Sequence, residues 1–403
     1  MSLTKLELKK LLNPLTVIVL IIMLAVNLYA LFMHQGVLYM RNSSGDYSLA
    51  AVKARIDDVR GAIDDEWIAK RKAELQALLD DPRYLKTDDE LTQLAAELAA
   101  EGLSDAAIQE SLTMPENCLN NEGLSKYYFI KPHLDAAQFY ENAEAKRDEL
   151  LDEYSYDADI CADIKARYDR LAKDYTAHYN YDLAYENLQY AAADVFPFTV
   201  GIPVLVGLAP LFARERSRKT DSLILASKRG RQQTAAAKIS AGATYSVLVW
   251  LIMTASAAIY VFLFFGTQGF EALWQFSSGS ISSPFPWTIG QAVMIELATC
   301  LIGTLFFAFI VMLLSELTKS TFASVILGAA LLLAPMIIDI DTGIALYLPT
   351  YLMRGVAIWS AYFPAKLFGF VTETQYLVIA AACIISAICG TVAVRSFARR
   401  QAA

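Results

Sequence analysis

Few residues of this chain stand where they could do chemistry, and the clearest is Glu296, a carboxylate inside a long apolar run. A charge at the centre of a bilayer-spanning helix costs on the order of 2.5 to 3.5 kcal/mol on insertion scales and marks a pathway, a pair or an interface. The alternative is a protonated or hydrogen-bonded packing residue. A second group is the stretch from Arg214 to Lys238, with eight basic residues. Such a stretch docks on a partner at the membrane surface or anchors to lipid headgroups. Nucleotide chemistry is not encoded: there is no G-x-x-x-x-G-K phosphate loop, nor any Gly-Lys pair. His34, His133 and His178 lack metal-ligand spacing, so neither a metal site nor a catalytic triad emerges. Cys300, Cys383 and Cys389 lie in apolar runs, whereas Cys118 and Cys161 fall in a polar block, where an oxidising compartment would permit one bridge.

The elements that must position these groups are membrane spans. The hydrophobic fraction is 56% and the mean hydropathy +0.37, above the roughly 45 to 50% apolar content of an average soluble domain. Six apolar segments approach the roughly 20 residues a helix needs to cross the hydrocarbon core. They run from Pro14 to Met33, Val195 to Ala213, Ile239 to Gly266, Trp287 to Ser315, Thr321 to Ile338, and Tyr376 to Val394. Glu296 then sits about 14 Å from the outer end of the fourth, at about 1.5 Å per residue. Ala382, Ser386 and Gly390 recur every fourth residue in the last, a small-residue stripe that permits close helix packing.

Charge orients the spans. Residues 41–194 carry 17 Lys/Arg against 33 Asp/Glu, a net −16, while the whole chain carries −8. Basic residues gather instead at the N-terminus, at 214–238 and at the C-terminus. Because Lys and Arg collect on cytoplasmic ends, both termini are expected inside and residues 41–194 outside. The outer block reads helical, with Val52, Ile56, Val59, Ile63 and Trp67 at seam spacing, and again Ile164, Tyr168, Leu171 and Tyr175. Pro82, Pro115, Pro132 and the turn Asn120 to Gly123 are expected to separate its helices. No Gly or Pro interrupts residues 133–196, which predicts one or two long helices entering the second span. The expected fold is all-α: 1–40 as interface helix and first span, 41–194 as an acidic helical domain, and 195–403 as the remaining spans.

The loop carries a family likeness. Phe212, Glu215, Lys219, Thr220, Leu223, Leu225, Ser227, Arg229 or Arg231, and Lys238 follow the pattern of the first cytoplasmic loop of ABC-2 export permeases, which the chain resembles. Leu6 to Leu12, broken by Asn13 and Pro14, looks like that family's amphipathic interface helix. Leu348, Pro349 and the short apolar stretches within 341–375 look like its outward re-entrant helices. The likeness covers the six-span core and leaves out the acidic block.

The resemblance implies a coupling helix within 213–238 that fits a separate cytosolic ABC ATPase. Arg214, Glu215, Arg218, Thr220, Leu223, Leu225, Arg229 and Arg231 would be its contacts, Glu215 foremost. The chain itself would then be no enzyme and bind no cofactor, with ATP and Mg held by the partner. Further expected partners are a second permease copy or homologue and membrane lipid, with no nucleic acid, in a bacterial cell membrane. Glu296 would face the translocation path or the dimer interface. The cargo would be a peptide, drug or lipid-like molecule. The alternative function is a transmitter or sensor that works its outer domain and moves no substrate. An outer charge of −16 would steer cations such as antimicrobial peptides. Binding of a cationic peptide to residues 41–194 should therefore weaken as ionic strength rises; indifference to salt removes the steering.

Overall fold

The structure, a computed structural model, describes residues 2–35, 61–137, 139–174, 178–179, 183–217, 230–276, 283–333, 345–360 and 362–399. Val52, Ile56, Val59 and Tyr175 of the expected seams lie outside them. The chain is mostly helical. In order come α1 (Leu3–Leu11), α2 (Pro14–Gln35), α3 (Asp65–Leu79), α4 (Asp88–Ala100), α5 (Asp105–Leu112), α6 (Asn121–Ala137), α7 (Phe139–Glu153) and α8 (Ala158–Asp174). There follow α9 (Leu183–Tyr190), α10 (Phe196–Leu208), α11 (Pro210–Ser217), α12 (Gly230–Phe265), α13 (Ile289–Thr318) and α14 (Thr321–Leu333). The last are α15 (Pro349–Met353), α16 (Val356–Trp359) and α17 (Thr374–Arg399). Two antiparallel pairs accompany them: β1 (Gly61–Ala62) with β2 (His178–Tyr179), and β3 (Pro364–Leu367) with β4 (Phe370–Glu373).

Among the described residues, five helices are long and apolar enough to cross a membrane: Pro14–His34, Ala184–Arg214, Arg231–Phe265, Ile289–Thr318 and Thr374–Arg399. The chain is accordingly a membrane-embedded helical protein. The segment expected as a fifth span appears as the shorter apolar α14, described as far as Leu333.

The chain divides into two compact units. The membrane unit comprises Met1–Leu31, Ala184–Thr267 and Gly290–Ala403. Its first break follows from Asn13, whose side-chain oxygen accepts from the backbone N–H groups of Leu15 and Thr16 and so caps α2. Pro14 tolerates this position because the first helical N–H has no partner to lose. The first three spans are tied by Asn27, fully buried, which donates to the Met253 carbonyl and Ser256 Oγ and accepts from Thr199 Oγ1.

A π-helical turn, Ala191–Val195, joins α9 to α10, so the second span begins well before Val195. Pro197 explains the irregularity, since it has no N–H to give the Ala193 carbonyl four residues back. Arg354 supplies the donor instead, its Nε 3.0 Å from that oxygen and its Nη2 3.0 Å from Asp194. The segment α15–α16 is thus fastened to the second span. It also lies directly on α13: a Cβ at Gly303 would collide with the backbone of Leu352 and Met353, and one at Gly355 with the backbone of Glu296. Ala382 and Gly390 of the small-residue stripe are buried within the unit, Gly390 against the Phe309 ring.

The polar unit comprises Phe32–Leu183 with Gln268–Ile289. One core joins Leu78, Leu119 and Tyr127. The seam residues Ile164, Tyr168 and Leu171 are buried on α8, as their spacing predicts. Two expectations change. Residues 133–196 do not form one or two long helices, because α7 ends at a Tyr154 to Asp157 turn where the Asp157 carboxylate accepts from the N–H groups of Asp159 and Ile160 and starts α8 afresh. Pro132 does not end a helix; α6 runs through it to Ala137, its Tyr127 face held in the core. Trp274, Phe285 and Trp287 stack with ring centroids 4.5 to 6.3 Å apart. Cys118 and Cys161 are free thiols, their Sγ atoms directed at the carbonyls of Leu112 and Tyr154.

Gly303→Val should push α15 off α13 and lower stability by about 1 to 3 kcal/mol, as overpacking does. Thermal unfolding in detergent measures it, and an unchanged midpoint would contradict the close approach.

Candidate functional site

At the end of the helices where the basic loop begins and ends, five elements meet around one buried ion pair. Lys238, near the start of α12, is 1% exposed and Glu7, on α1, 4%. Lys238 Nζ lies 3.1 Å from Glu7 Oε2 and donates to the Leu211 carbonyl at 3.0 Å. The Phe212 ring centroid is 5.6 Å from the ammonium, within cation–π range. Lys10 reaches the other Glu7 oxygen at 2.6 Å from the solvent side. Burial works to raise the Glu7 carboxyl, but Lys238 and Lys10 outweigh it and hold it below the usual carboxylate range.

The next layer fixes α11, the helix leading into the loop. Ser315 Oγ, on α13, donates to the Ala209 carbonyl at 2.7 Å and accepts from the N–H groups of Phe212 and Ala213. Phe212 meets Phe397 of α17 at 5.6 Å between centroids, and Ser396 donates to the buried Glu316 at 3.0 Å. Both feet of the loop are therefore set in one polar, water-poor base shared by α1, α11, α12, α13 and α17. A displacement of either foot along its axis would part hydrogen bonds that have no water to replace them.

Of the residues expected to contact a partner, Arg214 is exposed on α11, Glu215 lies one residue further along that helix, and Arg231 is half-buried on the first turn of α12. Arg218, Thr220, Leu223, Leu225 and Arg229 lie outside the described residues. Phe212 and Lys238, both in the loop pattern, come together here, and Glu7 joins them from a helix more than two hundred residues away in sequence. Sequence reading did not single out Ser315, Glu316 or Ser396. Their signal was the polar pair Ser315-Glu316 at the expected end of an apolar run.

Glu296 is fully buried. α13 starts at Ile289, so Glu296 stands about 10 Å from that end rather than nearer the middle. Gln189 Nε2 donates to both of its oxygens, at 3.0 and 3.2 Å. One turn on, Thr299 Oγ1 accepts from Trp359 Nε1 at 3.0 Å, and Gly355 lies on the Glu296 backbone. The carboxylate thus sits where the first turns of the second span, α13 and α15–α16 converge. Gln189 was missed, hidden in a Tyr-rich run that reads as helix packing. Among the described residues, no three His, Cys, Asp or Glu side chains gather as a metal site would require.

No family model, curated protein or solved structure matches this chain.

Removing one partner of a buried ion pair costs about 3 to 5 kcal/mol, while replacing both with apolar groups costs far less. Lys238→Met and Glu7→Leu should each destabilise strongly and the double variant should recover much of the loss, read by thermal unfolding in detergent; additive losses would show that the pair is not coupled. Because the folded Glu7 value is depressed, its contribution is present above the ordinary value of 4.5 and is lost as pH falls through the lower folded value. Lys238→Met should therefore flatten the acid limb of stability below about pH 4.5, and an unchanged limb would discount Glu7 as its source.

Proposed function

We propose that this chain is the membrane subunit of an ABC-type exporter of the ABC-2 kind, coupling ATP hydrolysis in a separate cytosolic ATPase to outward transport. The observation that carries the reading is the Glu7–Lys238 pair, which joins the amphipathic N-terminal helix to the helix that follows the basic loop. A loop that receives force from a partner must pass it on without slack. Here its entry is held by Ser315 and its exit by Glu7, so a push on the loop acts on α1, α11, α12, α13 and α17 together.

In this reading α14 belongs to the fifth of six spans, and both termini and the loop are cytoplasmic. The inclusion of Gln268–Ile289 with Phe32–Leu183 in one compact unit supports placing both on the same, outer, side. Two copies would frame the path, with Glu296 as a polar contact along it or at the seam between them. ATP and Mg belong to the partner. The outer unit's acidity favours a cationic cargo such as a peptide. A second reading, a transmitter that works its outer domain without moving substrate, draws support from the same unit, which is large enough to have a core of its own.

Co-expression with an ABC ATPase from a neighbouring gene should yield a complex in detergent, and Glu215→Arg should abolish stimulation of ATP hydrolysis in reconstituted vesicles. No complex, and hydrolysis indifferent to Glu215, would overturn the coupling role. ATP-dependent uptake of a labelled cationic peptide into inverted vesicles separates the two readings: stimulated hydrolysis with no uptake of cargo selects the transmitter.

A further inference from the structure

The β3–β4 hairpin carries an oddity that the coupling role does not use. Its two-residue turn is Phe368-Gly369, with φ of +51° and +87°. Both central residues of such a turn need positive φ, which Asn-Gly meets readily and a bulky aromatic meets only under strain. Strain of this kind persists where the side chain is needed for something else. Phe368 is 92% exposed and Phe370 78%, with Leu367 beside them at 44%. A strained residue whose side chain packs on nothing in its own chain has its use outside that chain.

The hairpin's place says what it meets. Its base is fixed, because the Thr374 N–H donates to the Phe363 carbonyl at 2.8 Å and Glu373, paired with Pro364, is buried. β4 passes into α17 with no linker, and α17 is a membrane-crossing candidate. Within its first turn Tyr376 is half exposed, of a residue type enriched at the headgroup level of a bilayer, and packs edge-on against the buried Trp359. Four residues of strand reach about 13 Å, so the tip stays within reach of that level. Between Pro364 and Thr372 the one charged residue is Lys366, of the sign that attracts lipid phosphate.

We propose that this hairpin lies on the bilayer and inserts Phe368 and Phe370 into the boundary between headgroups and acyl chains, with Lys366 at the phosphates. It anchors the start of α17, and with it the α15–α16 segment that α17 touches through Gln375 and the Ile358 carbonyl. The inference rests on membrane embedding alone and holds whether or not the chain is an exporter.

The test is a tryptophan at the tip. Phe368→Trp is reconstituted in nanodiscs of phosphatidylcholine brominated at the 6,7 or the 11,12 acyl positions, and the emission it adds over the parent chain is measured. The added emission should fall by about half or more, further with the shallow bromines than with the deep ones. Emission untouched by bromine but quenched by aqueous iodide would put the tip in water. Emission untouched by both would put it under protein, such as a second copy. Either result overturns the proposal. Phe370→Trp repeats the measurement should Phe368→Trp fail to fold.

Discussion

Lys238 and Glu7 are buried against each other, and that contact governs the end of the membrane unit where they meet. Parting the two would leave an uncompensated buried charge, so the contact is kept only while α1 and α12 hold their register. Leu211 and Phe212 also contact the ammonium, which extends the constraint to α11. The amphipathic helix is thus more than a float on the surface, since its one acidic residue is buried as a structural counter-ion.

Polar groups do the same work elsewhere in the unit. Asn27 satisfies its amide on the second and third spans, where no water competes. Gln189 reaches both oxygens of Glu296 and so joins the second span to α13. In a medium as apolar as the side chains themselves, such contacts and close backbone approach carry the specificity that hydrophobic burial supplies in soluble proteins.

Much of this was legible in sequence and some was not, for identifiable reasons. Apolar runs of bilayer length and the Asn13-Pro14 break are local signals, and they appear as helices and a cap. The seam at Ile164, Tyr168 and Leu171 was equally local. The end of α7 was missed because an Asp N-cap, without Gly or Pro, is a quiet signal; Pro132 was overread because packing carried a helix through it. The hairpin went unforeseen since Phe-Gly is a poor turn sequence. Glu296 could be named from its type and place, and Phe212 and Lys238 through the loop's family resemblance, but their partners Gln189 and Glu7 could not be assigned, because those contacts span more than a hundred residues.

Pro197 leaves the second span short of one hydrogen bond, and Arg354 fills the gap from another part of the chain. That loan makes the two segments creditor and debtor: if α15–α16 swings away, the Ala193 carbonyl is stranded, and half-way positions satisfy neither side. The docked position is therefore set by polar contacts as well as by packing, since moving Arg354 would unseat the Ala193 carbonyl and the Asp194 carboxylate together.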